Sequence, residues 1–245
     1  MAQHLLSVTL FSMDLSDGMT HRERLRALTV GEIKRQGYAQ IAEGGPGALS
    51  LNRIAKVMGM SGPAMYRYFA SREELMATLV TESFEDLADT LTQIAADAAG
   101  QVPEARLRAV AHGFRAWALA VPHRYRLVFG STYGTGALDQ ARILPAASRS
   151  MTTLLSALAD LGPSPPPPVG DTILERQLEQ WGARQDPGPV PLAGDLLLGL
   201  VAWTRLHGII SLEIEGFFLQ VGVDPARLYD SEIDRLISDR LASRA

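Results

Sequence analysis

Residues 50–75 read SLNRIAKVMGMSGPAMYRYFASREEL, and this run decides the fold. Ser50 is a capping residue, and Leu51, Ile54, Ala55 and Val57 behind it supply the apolar positions of a short helix. Gly59 stops that helix, because glycine takes up the left-handed backbone of a tight turn at little cost. Ser61 caps a second short helix with Pro63 in its first turn, where a missing N–H matters little. This helix is expected to end near Phe69. Ile54, Ala55 and Met65 are spaced to pack between the two helices, and small Ala55 lets the backbones approach. Ser71-Arg-Glu-Glu74 has the form of a capping box and opens a long helix over about 71–99, striped with Phe84, Leu87, Leu91 and Ile94. Two short helices across a glycine turn form the helix-turn-helix pattern. Spacing alone would also suit a buried helical hairpin.

Outward from this run the pattern stays helical. Thr20-His-Arg-Glu23 is another capping box, leading a helix with Leu25, Leu28, Ile33 and Ile41 that ends near Gly44–Gly47. Downstream, Pro103 opens a helix bearing Leu107, Val110, Phe114 and Trp117, and Pro122 opens a short one through Phe129. A helix over about 137–161 is followed by a proline-rich break at 162–168. A short helix over 172–183 precedes a second break at 186–191. Leu192, Leu196, Leu200, Trp203, His207, Ile210 and Ile214 then share one face of a long helix spanning about 192–221. Asp224-Pro225 starts the last helix, 225–242. No alternating pattern is long enough for a strand. The fold class read from this is all-α, with a helix-turn-helix head over 19–70 and a larger helical domain over 71–245. Residues 1–18 read as a disordered arm or an over-extended start.

Composition narrows the function. The chain has 245 residues, 47% hydrophobic, and no cysteine, which excludes disulfides, thiolate nucleophiles and Cys-based metal sites. No stretch approaches the roughly 18 apolar residues of a membrane span. The longest apolar run, Leu196 to Trp203, lies between Asp195 and Arg205. Leu5 to Phe11 lacks the flanks of a secretory signal, so a cytoplasmic protein with no membrane partner is expected. Net charge is −4, but residues 19–70 carry eight Lys/Arg against three Glu, a balance of +5, and residues 71–245 carry −7. A basic head on an acidic body points to a polyanion partner for the head alone.

The run 50–75 closely resembles the TetR family of bacterial transcriptional regulators, in Ile54-Ala55, Gly59-Met60-Ser61, Tyr66-Arg67-Tyr68-Phe69 and Ser71-Arg72-Glu73-Glu74-Leu75. The resemblance covers about residues 20–75 and implies a homodimer on a palindromic double-stranded DNA operator. It implies phosphate contacts for Ser50 and Ser61, at helix N-termini, and for Tyr66 and Arg72. Asn52, Arg53, Gly62, Pro63, Ala64 and Arg67 then sit where base edges are read. Phe69 and Leu75 read as core, Tyr68 equally as packing or contact, and Arg35 and Lys56 as solvated or generic phosphate partners. Gly62, Pro63 and Ala64 offer almost no side-chain hydrogen bonds. Readout must therefore lean on Asn52, Arg53 and Arg67, on thymine-methyl contacts, or on DNA shape.

More weakly, Trp203-Thr-Arg-Leu-His207-Gly208 resembles a C-terminal subclass of that family marked by Trp-x-x-x-His-Gly. Trp203 and His207 share a helical face. They read first as a packed Trp with a hydrogen-bonded His, and second as the lining of a ligand cavity near the dimer seam. Further cavity candidates are Phe84, His112, Phe114, Trp117, Tyr125, Phe129, Tyr133, Met151 and Leu155, each of which reads first as plain core. Their apolar character suits a small hydrophobic ligand. The helices over about 192–221 and 225–242 are the expected dimer seam, and the helix over 71–99 the expected link between head and ligand. No metalloprotease, phosphate-loop or nucleophile-elbow motif is present, so no enzyme, cofactor or metal is expected. The alternatives are a helical protein-interaction module, or an activator without small-molecule control.

Overall fold

The computed structural model describes residues 20–130, 140–162, 172–183 and 193–242. Tyr133, Leu192, residues 1–18 and most of both proline-rich segments lie outside that set. The described residues form eleven α-helices, with no strand among them, in two compact units that meet in sequence between Leu79 and Val80.

In the first unit, α1 (His21–Gly44) begins at the expected capping box. The Thr20 hydroxyl accepts the Glu23 N–H at 3.2 Å, and the Glu23 carboxylate accepts the Thr20 N–H at 2.8 Å. Ile33 and Ile41 are buried, whereas Leu25 and Leu28 stay exposed. A short 3-10 turn, Pro46–Ala48, leads to α2 (Leu51–Val57). Gly59 has φ +65°, the left-handed turn the sequence called for. The following α3 (Gly62–Met65) is a single turn, shorter than expected. Its continuation tightens to i→i+3 bonds, Arg67 N–H to Ala64 and Tyr68 N–H to Met65, so the chain reaches Phe69 as turns. Ile54, Met65, Phe69 and Leu75 are all buried, as the spacing requires.

Helix α4 (Arg72–Asp97) starts one residue off a regular capping box. The Ser71 hydroxyl accepts the Glu74 N–H at 3.1 Å, but the Glu74 carboxylate reaches back to the N–H of Ala70, at 2.6 Å. The second unit holds α5 (Pro103–Ala120), α6 (Pro122–Phe129), α7 (Gln140–Ala159), α8 (Thr172–Gly182), α9 (Ala193–Ile214), α10 (Phe217–Val221) and α11 (Pro225–Ala242). Helix α9 packs against α5, α7, α8, α10 and α11, which makes it the axis of this unit. The single helix expected over 192–221 is broken, because Gly216 turns left-handed at φ +74° and separates α9 from α10.

By length and composition α9 is also apolar enough to cross a membrane, with 22 residues and a mean hydropathy of 1.3, contrary to the reading of the sequence. Its ionic residues are paired with neighbouring helices of the second unit. Asp195 meets Arg240 at 3.0 Å, Arg205 meets Glu232 at 3.0 Å, and Glu213 accepts from Arg115 at 2.8 Å.

Candidate nucleic-acid interface and ligand cavity

The helix-turn-helix is held from behind by polar contacts. The Ser50 N–H donates to the side-chain carbonyl of buried Gln40 at 2.8 Å, and the Ser50 hydroxyl accepts the Arg53 N–H at 3.3 Å. The Ser61 hydroxyl accepts the Ala64 N–H at 3.4 Å. Both serines therefore serve first as helix caps. Asn52, Arg53, Pro63, Tyr66 and Arg67 are exposed, and Gly62, Ala64 and Tyr68 are half-buried. Arg53 is drawn toward Glu43, at 3.3 Å. The Arg67 guanidinium has no partner among the described residues.

Two arginines behave differently from their sequence readings. Arg72 donates to the carbonyls of Pro46 (2.8 Å) and Leu49 (3.0 Å), tying the start of α4 to the turn before α2. Arg26 had counted only as charge, yet its guanidinium lies 5.1 Å over the Tyr68 ring and donates to the Arg67 carbonyl at 3.4 Å. Tyr68 is thus fixed by a cation–π contact. Only its place on α1 hinted at this role, since the contact spans about forty residues of sequence.

The second unit holds a partly open cavity of about 340 Å³. Of the sequence candidates, Phe84, Phe114, Phe129, Met151, Trp203 and His207 line it, joined by Leu87, Leu91, Trp181 and Leu206, among others. Trp181 was missed because α8 is short and stands between two proline-rich breaks. Four candidates are not lining residues. His112 faces Asp230 at 3.2 Å, and the Trp117 indole donates to Asp86 at 2.9 Å. Leu155 packs on α9 where Gly199 leaves room for it. Tyr125 stands behind the wall, with its hydroxyl 2.9 Å from His207 Nδ1.

Five aromatic rings cluster around His207. It stacks on Trp203 (4.8 Å, 15°) and on Tyr125 (5.5 Å, 26°), and meets Phe129 edge-on at 4.9 Å. Phe114 and Phe84 complete the cluster against Phe129. Trp203 and His207 are a packed pair, with His207 hydrogen-bonded to Tyr125, and both stand on the cavity wall. Burial disfavours the imidazolium and holds His207 below its ordinary pKa, and it pushes the Tyr125 phenol up. Among the described residues, no Asp, Glu, Lys or Arg lines the cavity.

A helix-turn-helix with exposed polar side chains, followed by a helical bundle around an apolar cavity, defines a DNA-binding regulator of the TetR class. Residues 29–79 match the family model of bacterial regulatory proteins of the tetR family, and residues 107–236 match the tetracyclin repressor-like C-terminal domain. The chain belongs to the TetR family and is a transcriptional regulator, not an enzyme. It is 27% identical over 230 residues to the HTH-type transcriptional regulator Rv1816 of Mycobacterium tuberculosis, covering 89% of this chain and 92% of that one. The crystal structure of SCO4313, described as a regulatory protein, is 38% identical with a TM-score of 0.73, covering 89% of this chain and all of the other. A protein of unknown function from Rhodococcus sp. RHA1, 21% identical with a TM-score of 0.64 over 93% of this chain and 98% of its own, shares the fold.

Proposed function

We propose that this regulator is a ligand-responsive, sequence-specific repressor, a homodimer that covers a palindromic operator and is released by a small hydrophobic molecule. Residues 19–70 form the DNA-reading head, and residues 71–245 the ligand-binding and dimerisation domain. The observation that carries the reading is the apolar cavity of about 340 Å³ in a chain that also bears a DNA-reading motif. An engineered apolar cavity of about 150 Å³ holds benzene, so this one has room for two or three fused rings.

In the head, Arg67, Asn52 and Arg53 reach base edges in the major groove, and Tyr66 with the capped ends of α2 and α3 meets phosphates. Arg72 places the capped end of α2 through its bonds to the Pro46 and Leu49 carbonyls. Two-fold symmetry sets two heads one DNA turn apart, about 34–36 Å. Helix α4 carries Leu75 and Leu79 in one core and Phe84, Leu87 and Leu91 along the cavity, so a ligand that moves α4 acts on both. The ligand must bind the released state more tightly than the DNA-bound one, or it shifts nothing.

The test is anisotropy of a duplex taken from upstream of the gene, titrated with neutral aromatic compounds while tryptophan fluorescence reports cavity occupancy. Compounds that fill the cavity lower the affinity for the duplex. Occupancy with unchanged DNA affinity contradicts ligand control.

A further inference from the structure

His207 is a polar side chain on the cavity wall, and its Nδ1 is engaged by a neighbour. His207 Nδ1 is 2.9 Å from the Tyr125 hydroxyl, and that hydroxyl is 3.3 Å from the His207 carbonyl. A phenol has one proton to give. The carbonyl lies inside α9, where the residue four positions on already satisfies it. If the shorter contact takes the phenol proton to Nδ1, the ring hydrogen of a neutral imidazole stands on Nε2. Nε2 has no partner among the described residues, and His207 lines the cavity.

The other polar groups on the wall are fewer or already engaged. Ser150 gives its proton to the Ala146 carbonyl of its own helix, and Ser148 and Trp181 supply the rest among the described residues. With no ionic residue on the wall among the described residues, a charged ligand would lose its hydration without compensation there.

We propose that the cavity selects a neutral, mainly aromatic ligand bearing a hydrogen-bond acceptor, such as a ketone or ester carbonyl, which docks on the Nε2–H of His207 while Tyr125 holds the tautomer. This rests on the reading of the cavity as the ligand site. The acceptor is what discriminates: a ligand without one leaves the Nε2–H desolvated and unpaired, a cost that apolar contact does not return.

The experiment uses three tricyclic probes of nearly equal shape: 9-fluorenone, with a carbonyl; fluorene, with a methylene in its place; and fluorene-9-carboxylate, with a charge. Binding to the full chain is read by calorimetry. The expected order is fluorenone tighter than fluorene by about tenfold, with the carboxylate not binding. His207→Phe keeps fluorene binding and loses the tenfold preference, and His207→Gln, which retains a donor, recovers part of it. Nitrogen-15 spectra of the His207 ring place its proton on Nε2, and this readout needs no variant to fold. Equal binding of fluorenone and fluorene to the wild type, tight carboxylate binding, or a proton on Nδ1 overturns this proposal and leaves the cavity reading standing. Binding of no probe overturns both.

Discussion

Arg67 and Arg72 lie five residues apart and are assigned different duties by their surroundings. Arg67 is exposed, with no partner among the described residues, and we assign it a base edge. Arg67→Ala then lowers affinity for the operator by roughly 1–3 kcal/mol and leaves affinity for a scrambled duplex nearly unchanged. Equal losses on both duplexes make it a phosphate contact. Arg72 is already bonded to two backbone carbonyls, so Arg72→Ala lowers the stability of the head itself, by about 1–2 kcal/mol on denaturant unfolding. Unchanged stability with weaker DNA binding would return Arg72 to the phosphate role that the resemblance implies. His207 carries a pH dependence. Burial lowers its folded pKa from 6.5, so the unfolded chain takes up a proton that the folded chain refuses. The resulting stability is complete above about pH 6.5 and is lost as pH falls through the lower folded value. His123 shifts in the same direction, by burial and the neighbouring Arg124 charge, so it adds to the same slope. His207→Phe flattens the fall in melting midpoint between about pH 7.5 and 5.5, and an unaltered slope contradicts the assignment.

At the scale of elements, two glycines in α1 make a matched pair. A Cβ on Gly31 meets nothing within 4 Å, so Gly31→Ala stabilises the helix, by up to about 1 kcal/mol. A Cβ on Gly37 comes to 3.0 Å from the fully buried Leu79 and 3.4 Å from Leu49, so Gly37→Ala overpacks the head and destabilises it, by about 1–2 kcal/mol. Thermal melts of the two variants should move in opposite directions. What could be read from the sequence follows the same division between local and distant causes. Capping residues such as Thr20, Ser50, Ser61 and Asp224 act within three positions, and all four start helices where expected. Gly59 was legible because one residue sets its turn. The break at Gly216 was not, since the apolar repeat of α9 runs into the Phe217-Phe218 pair and masks a glycine that turns left-handed. Among the cavity candidates, large aromatic side chains marked the wall at Phe84, Phe114, Phe129 and Trp203. Period and size could not separate those from His112, Trp117, Tyr125 and Leu155, whose partners (Asp230, Asp86, His207 and the open side of Gly199) lie from about 30 to more than 100 residues away in sequence.

For the whole molecule, α9 leaves apolar residues such as Leu212 exposed in the single chain, and α11 leaves Leu228. In the proposed homodimer these belong to the seam. Leu212→Asp combined with Leu228→Asp then yields a folded monomer by light scattering that has lost operator binding, because one head alone offers half of the contacts. A double variant that remains dimeric places the seam elsewhere. The acidic body and basic head make DNA affinity a property of the head and therefore strongly dependent on salt. The most direct test of the central claim is the affinity of the full chain for its own upstream duplex and for a scrambled duplex, at about 50 mM and 200 mM salt. The account predicts tight binding of one dimer to the upstream duplex, weak binding to the scrambled one, and losses with salt on both. Equal affinity for the two duplexes, or no binding to either at the lower salt, contradicts it.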